Sequence, residues 1–460
     1  MKNLLLIPLY FLFATIFVSC EGDDPISNTL KVNKFIWEVM DEIYLWQAQM
    51  PRNIDINNEP DPIQYFDKLL YQDDKWSFIT DDVEGLLDSF EGKENTFGYS
   101  LAKGSFSNSN ALFAVVMYVN PNSPASEAGL KRGDLIVKIN NKEITQSNYL
   151  ELFYGSTISI TKGVFANGAI GLGNTLSMTS RELVINPILI NKTMEFEGKK
   201  IGYIVYNQYI TDYNTQLTSI FQEFESQQVT DIVIDLRYNS GGYIEAAVHL
   251  CSILAPRSAV STPAILIKKQ WNQLYQNYWT QNNITEQLQT TFDKNVAVNM
   301  DLSQVYFLTT KGSASASELT VTGLMPYMEV VTIGQTTSGK YTASATFQPT
   351  INEKGDLDPD IKNWAIQPII FKYANAAGLT DFKNGLAPSH VVEEILVAET
   401  VPQLGDVDEP FLAKAIELIT GKTTKSARIW NQFAWKELDR RSSKYEKQKQ
   451  VLLVPTPFGK

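Results

Sequence analysis

Seven residues, Gly312-Ser313-Ala314-Ser315-Ala316-Ser317-Glu318, and the later pair Gly339-Lys340 are where this chain concentrates side chains able to do chemistry. A strand-like run at 305–309 leads into the small residues and an apolar stretch at 319–325 follows, so a serine falls where a strand turns into a helix. There a hydroxyl projects from a sharp turn, and the unpaired amides of the first helical turn can stabilise negative charge developing on a substrate. A second strand-like run, 330–334, delivers Lys340 from a loop of its own. The same residues also fit an ordinary helix start, because Ser315-Ala316-Ser317-Glu318 has the S-x-x-E form of a capping box.

Upstream, the apolar run Asp231-Ile232-Val233-Ile234-Asp235 ends in the polar loop Leu236-Arg237-Tyr238-Asn239-Ser240-Gly241-Gly242. Paired glycines there let a backbone amide approach a ligand with no Cβ in the way. A lone Gly-Gly is an ordinary turn, so the loop gains meaning only from its company.

Together these segments resemble the C-terminal processing, or tail-specific, serine peptidases, with a nucleophile in S-A-S-A-S-E and a lysine base in a G-K loop 25 residues later. The resemblance selects Ser315 over Ser313 and Ser317, since Lys340 follows Ser315 by 25 residues. It also implies that the D-L-R-x-N-x-G-G loop is the oxyanion loop, with Gly241 or Gly242 giving one amide and Ala316 the other. One departure stands out. Several family members orient the lysine with a glutamine four residues on, whereas here that position is Ser344, and Tyr341 replaces the usual glycine.

Residues from about 95 to 185 resemble a PDZ domain. Phe97-Gly98-Tyr99-Ser100 fits its carboxylate-binding loop, and Ser123-Pro124-Ala125-Ser126-Glu127-Ala128-Gly129-Leu130-Lys131-Arg132-Gly133-Asp134 fits the helix and turn before a strand at 135–140. The implied chemistry is β-augmentation, in which an extended polypeptide tail adds to a sheet edge. Ser159-Ile160-Thr161-Lys162 has the S-x-x-K form of a different serine enzyme but lacks that family's companion motifs, so it is set aside.

Composition bounds the rest. The chain has 460 residues with 44% hydrophobic and 20% charged, enough for two or three domains. A net charge of −12 offers no basic stripe for nucleic acid, and two cysteines with two histidines are too few for a Cys/His zinc cage. No cofactor is called for. Met1-Lys2-Asn3 and the apolar run 4–18 read as a signal peptide, and Phe17-Val18-Ser19-Cys20 resembles a lipobox, placing a lipid on Cys20. Glu21-Gly22-Asp23-Asp24 then reads as a solvated tether, and also resembles the acidic signals that take some Gram-negative lipoproteins to the cell surface. Cys251, in an apolar stretch, reads as a buried small hydrophobe.

These readings predict a mixed α/β chain. A signal peptide over 1–19 and a tether over 20–29 precede a helical region over 30–93. A PDZ domain over 94–185, of the inserted type, leads to a peptidase core over 195–400 of ClpP/crotonase-like stacked βα units. A helical tail over 401–460 closes the chain. The expected function is a lipid-anchored envelope endopeptidase, in the outer membrane of a Gram-negative bacterium, acting on unfolded or tail-exposing polypeptides with a Ser315–Lys340 dyad. The alternative is a catalytically weak lipoprotein that binds protein C-termini through its PDZ domain. His249 and His390 lie in no sequence signature of a base and are expected to be structural.

Overall fold

The computed structural model describes residues 27–106, 111–153, 155–166, 169–352, 354–422, 435–438 and 451–454. Cys20 and the leader lie outside the described residues. Among the described residues no helix is long and apolar enough to cross a membrane.

The run Ile232-Val233-Ile234 is apolar at successive positions because its strand is covered on both faces, as central parallel strands are. Asp231–Asp235 lies between Lys199–Tyr206 and Gln304–Thr309, and the sheet continues through Glu329–Gly334 to His390–Val391, all parallel. Ile188–Phe196 closes the other edge in an antiparallel pair. On one face Ile232 and Ile234 pack with Leu217 and Phe221 of helix Asn214–Ser226, Leu250 of helix Ile244–Leu254, and Leu319 of helix Ala316–Leu324. On the other, Val233 meets Phe411, Leu412 and Ile416 of helix Pro410–Thr420. Alternation of strands and helices thus produces the stacked βα core, with every catalytic candidate loop at the carboxyl ends of its strands.

A second six-stranded sheet runs Gly242–Tyr243, Leu452–Leu453, Thr342–Ser344, Ile369–Asn375, Ile265–Trp271, Gln289–Thr291. The PDZ region forms a seven-stranded sheet whose order begins Trp435–Glu437, Tyr99–Phe106, Ala111–Val119. The helices Asn28–Ile43 and Pro62–Leu69 bury Ile36, Met40, Tyr65 and Phe66 against one another, and strand Phe78–Thr80 then pairs antiparallel with Ala365–Gln367 of the core.

The expectation of a helical tail over 401–460 is corrected in part. After helix Pro410–Thr420, the described residues are two short strands, Trp435–Glu437 and Leu452–Leu453, each added to a different sheet. Four consecutive aliphatic residues at 451–454 suit a strand buried on both faces better than an amphipathic helix.

The PDZ sheet is fastened to the core by charge. Arg132, buried, donates to Met117 O (2.9 Å), Pro402 O (3.1 Å) and Glu394 Oε1 (2.9 Å), and it also bonds the Tyr238 hydroxyl. Arg237 forks onto Glu409 (2.7 and 2.8 Å) and reaches back to Asp235 with Nε (2.9 Å), while its guanidinium lies 4.4 Å from the Phe411 ring centroid. A network of two arginines and three carboxylates therefore sits directly under the glycine loop, out of water.

Candidate active site

Ser315 occupies the N-cap of helix Ala316–Leu324 with φ 62° and ψ −110°, a backbone conformation that non-glycine residues rarely adopt and that costs about 1–3 kcal/mol. Its hydroxyl is buried with no hydrogen-bond partner and makes no side-chain cap. The neighbouring serines are differently placed. Ser313 Oγ accepts Thr310 N–H (3.0 Å) and donates to Leu236 O (2.8 Å), and Ser317 Oγ donates to Asn239 O (3.0 Å), so both hydroxyls tie the serine turn to the glycine loop. Of the three, Ser315 alone has an uncommitted hydroxyl.

Glu318 does more than the capping box proposed for it. Its Oε2 accepts the amides of both Ser315 (2.9 Å) and Lys340 (2.8 Å), and its Oε1 accepts the Gly339 amide (2.7 Å) and the Thr337 hydroxyl (2.5 Å). One buried carboxylate therefore fixes the serine turn against the lysine loop. Burial pushes its pKa up while these four donors pull it down. The loop is buttressed from behind by the 383–386 segment: Thr337 N donates to Leu386 O (3.1 Å), and a Cβ on Gly339 would lie 2.6 Å from Lys383 O.

Lys340 is fully buried, and burial lowers its pKa to about 7, against the opposing pull of Asp74 and Glu318. Its ammonium position is 5.2 Å from the centroid of the Trp76 ring, whose face also favours the cation, so desolvation has to outweigh three attractions. The loop carrying Trp76 is held by Asp74, which accepts the Trp76 and Ser77 amides (2.9 Å each) and the Tyr44 hydroxyl (2.7 Å). Ser344, the position weighed as a lysine-orienting group, accepts Gln367 Nε2 (3.1 Å), so a glutamine enters the site from the strand Ala365–Gln367 instead of from four residues after the lysine.

The glycine loop reaches the serine directly. A Cβ on Gly241 would lie 2.8 Å from Ser315 Cβ and 3.2 Å from Ser315 Oγ, and φ is 119° at Gly241 and 134° at Gly242, so glycine is required twice. Neither amide is idle: Gly241 N donates to Asn239 Oδ1 (2.9 Å) and Gly242 N to Val451 O (2.7 Å).

The PDZ loop residues assemble as a turn at the start of strand Tyr99–Phe106. Gly98 has φ 80°, its amide donates to Thr96 Oγ1 (3.1 Å), and the Phe97 and Tyr99 rings stack at 5.7 Å; Ser100 pairs with Tyr118 across the sheet. His249 bonds Thr218 Oγ1 (2.8 Å) and Asn214 O (3.1 Å), away from the serine turn. Burial pushes the Cys251 thiol up to about 12, as befits an inert core residue.

Comparison with known proteins bears on this arrangement. The model for peptidase family S41 matches residues 200–392, which hold the glycine loop, the serine turn and the lysine loop, and the model for the S41 N-terminal domain matches residues 31–78. The chain belongs to peptidase family S41. A PDZ domain model matches residues 115–154. A solved S41 protease from Bacteroides fragilis superposes with a TM-score of 0.68 at 27% identity, over 88% of this chain and 99% of that one. A photosystem II D1 C-terminal processing protease, at 17% identity and a TM-score of 0.50 over 87% of this chain and 99% of that chain, shares the fold. Among curated relatives, the carboxyl-terminal-processing proteases of Picosynechococcus and Synechocystis are 24% and 22% identical over 60% and 65% of this S41 chain. The matches span 59% and 63% of those relatives' own lengths, so under two thirds of each is represented.

Two contributors to this S41 site escape a reading by motif. Trp76 is a buried core residue in no motif, yet it also walls off Lys340. Val451 sits in a polar-flanked stretch far from any motif, and only its four-residue aliphatic run hints at a buried strand.

Proposed function

We propose that this S41 chain is a serine endopeptidase of the cell envelope, hydrolysing peptide bonds of unfolded or C-terminally exposed polypeptides through Ser315 and Lys340. The observation that carries the reading is the join made by Glu318, which fixes an uncommitted, strained serine and a fully buried lysine of pKa about 7 to a single carboxylate.

Neutral Lys340 accepts the Ser315 proton as Oγ attacks the substrate carbonyl. Negative charge on the carbonyl oxygen is met by the amides of Gly242 and Ala316; the Gly241 amide is committed within its own loop, whereas the Gly242 amide is held by Val451 O and serves once that carbonyl is displaced. The departing amine takes the proton from Lys340, and water, deprotonated by the same lysine, releases the acyl group from Ser315. The chain's residues supply every proton transfer.

Because an ammonium cannot accept a proton, kcat/KM for an unfolded protein incubated with residues 21–460 should rise as pH increases through about 7 and level off above it. Absence of cleavage from pH 6 to 9, or an activity that falls across this range, would overturn the reading. The motif ending at Cys20 supports a lipid anchor and hence a membrane-facing location. Cys20→Ser should move the protein from the membrane to the soluble fraction and stop incorporation of labelled fatty acid; a wild type that takes up no label refutes the anchor.

A further inference from the structure

The described residues of the C-terminal region lie as strands in two places, beside the contact between Gly241 and Ser315 and on the edge of strand Tyr99–Phe106. Leu452–Leu453 lies as a middle strand, parallel to Gly242–Tyr243 on one side (Gly242 opposite Leu452, Tyr243 opposite Leu453) and paired through Leu453 with Ser344 on the other. Val451 O accepts the Gly242 amide (2.7 Å), and Val454 N donates to Ser344 O (3.3 Å). The Cβ absent from Gly241 would meet Val451 O at 2.3 Å and Ser315 Oγ at 3.2 Å, so the Val451 carbonyl and the serine hydroxyl flank the same spot. Side chains alternate as in any strand: Val451 and Leu453 enter a pocket of Phe78, Leu86 and Phe90, while Leu452 joins the main core. Val454 itself lines a cavity of about 510 Å³ together with Glu245, His249, Lys269 and Trp271.

At the PDZ sheet, Trp435–Glu437 pairs antiparallel with the edge of Tyr99–Phe106, and Leu438 N continues the ladder to Lys103 O (2.9 Å). Rising residue number runs toward the Phe97–Ser100 loop, and the Leu438 side chain packs on the cluster that includes Phe97 and Leu112. That is the direction and contact of a β-augmenting peptide.

We propose that the cleft between Gly242–Tyr243 and Thr342–Ser344 is the peptide groove of this protein, that it takes an extended segment of alternating aliphatic side chains, and that the chain's own Val451–Val454 is its resident occupant. Trp435–Leu438 fills the PDZ edge in the same way, so an outside polypeptide must displace one segment of a single tail at each site. The groove assignment rests on hydrogen bonds and packing; only the consequence for turnover rests on the peptidase reading above.

The test is binding of a fluorescein-labelled hexapeptide, Val-Leu-Leu-Val-Pro-Thr, to full-length protein carrying Ser315→Ala so that nothing is cut. Adding Val451→Asp and Leu453→Asp should strengthen binding at least tenfold by emptying the groove while leaving its walls intact. Equal binding by the two proteins overturns the proposal and shows the strand to be a fixed part of the sheet. Should the tail variant fail to fold, hydrogen exchange on the Ser315→Ala protein decides: saturating peptide should speed exchange at 451–454, and peptide that binds without doing so rules the occupancy out. With Ser315 restored, the tail variant should cleave an unfolded protein with a lower KM and little change in kcat. Tighter peptide binding with no cleavage by any variant would uphold the groove and refute the peptidase.

Discussion

Ser315→Ala and Lys340→Ala should each lower cleavage of an unfolded protein by about 10⁴-fold or more, and the double variant should be little worse than either single one, because nucleophile and base act as a unit. The comparison variants are Ser313→Ala and Ser317→Ala. Their hydroxyls hold Leu236 O, Thr310 N and Asn239 O, so they should lose about 0.5–1.5 kcal/mol of stability per hydrogen bond and keep substantial activity. Lys340 has a second signature. Its folded pKa of about 7 lies below the unfolded value of about 10.4, so between those limits the unfolded chain binds the extra proton and stability rises with pH. Lys340→Met removes that burden, and should raise the melting temperature at pH 7 while abolishing turnover. Full activity in both single alanine variants would eliminate the dyad, and covalent trapping on Ser313 or Ser317 would move the nucleophile.

Arg237→Met should destabilise the fold by about 3–5 kcal/mol, since it leaves Asp235 and Glu409 buried and unpaired. The loss should appear in denaturant midpoints even where the site is not assayed. Arg237 stands at the base of the glycine loop, where its carbonyl oxygen accepts the Thr310 hydroxyl and that hydroxyl in turn accepts the Gly312 amide (3.0 Å), so the same substitution should loosen the contact between the glycine loop and the serine turn. Replacing Asp235, Arg237 and Glu409 together by apolar residues of similar volume should recover much of the stability. A loss below 1 kcal/mol for Arg237→Met would mean that water reaches the network.

The candidate site was legible in the sequence because it brings together residue types that few other purposes place together. A serine among alanines between a strand and a helix, a lysine after Gly339 and two consecutive glycines are each weak signals, and only their order and spacing made them strong. The apolar run Ile232-Val233-Ile234 likewise gave away a central strand. What stayed hidden depends on contacts across hundreds of residues. Glu318 accepts the Ser315 amide as the acid of a capping box would, though the Ser315 hydroxyl does not complete the box, and its grip on Gly339 and Lys340 exists only once two strands lie side by side. Gln367 approaches Ser344 through an antiparallel pairing that no local pattern specifies. The Val451–Val454 strand was absorbed into a helical tail because short aliphatic runs carry no period of their own.

Burial of Lys340 has a bearing on safety as well as rate. Its low pKa is the product of exclusion of water by a wall that includes Trp76, from a segment 264 residues earlier in the chain. Should that wall lift, the amine returns toward about 10.4, and at neutral pH roughly one molecule in a few thousand would hold it unprotonated. Under the dyad proposed above, a half-assembled or partly melted copy would therefore be silent by default.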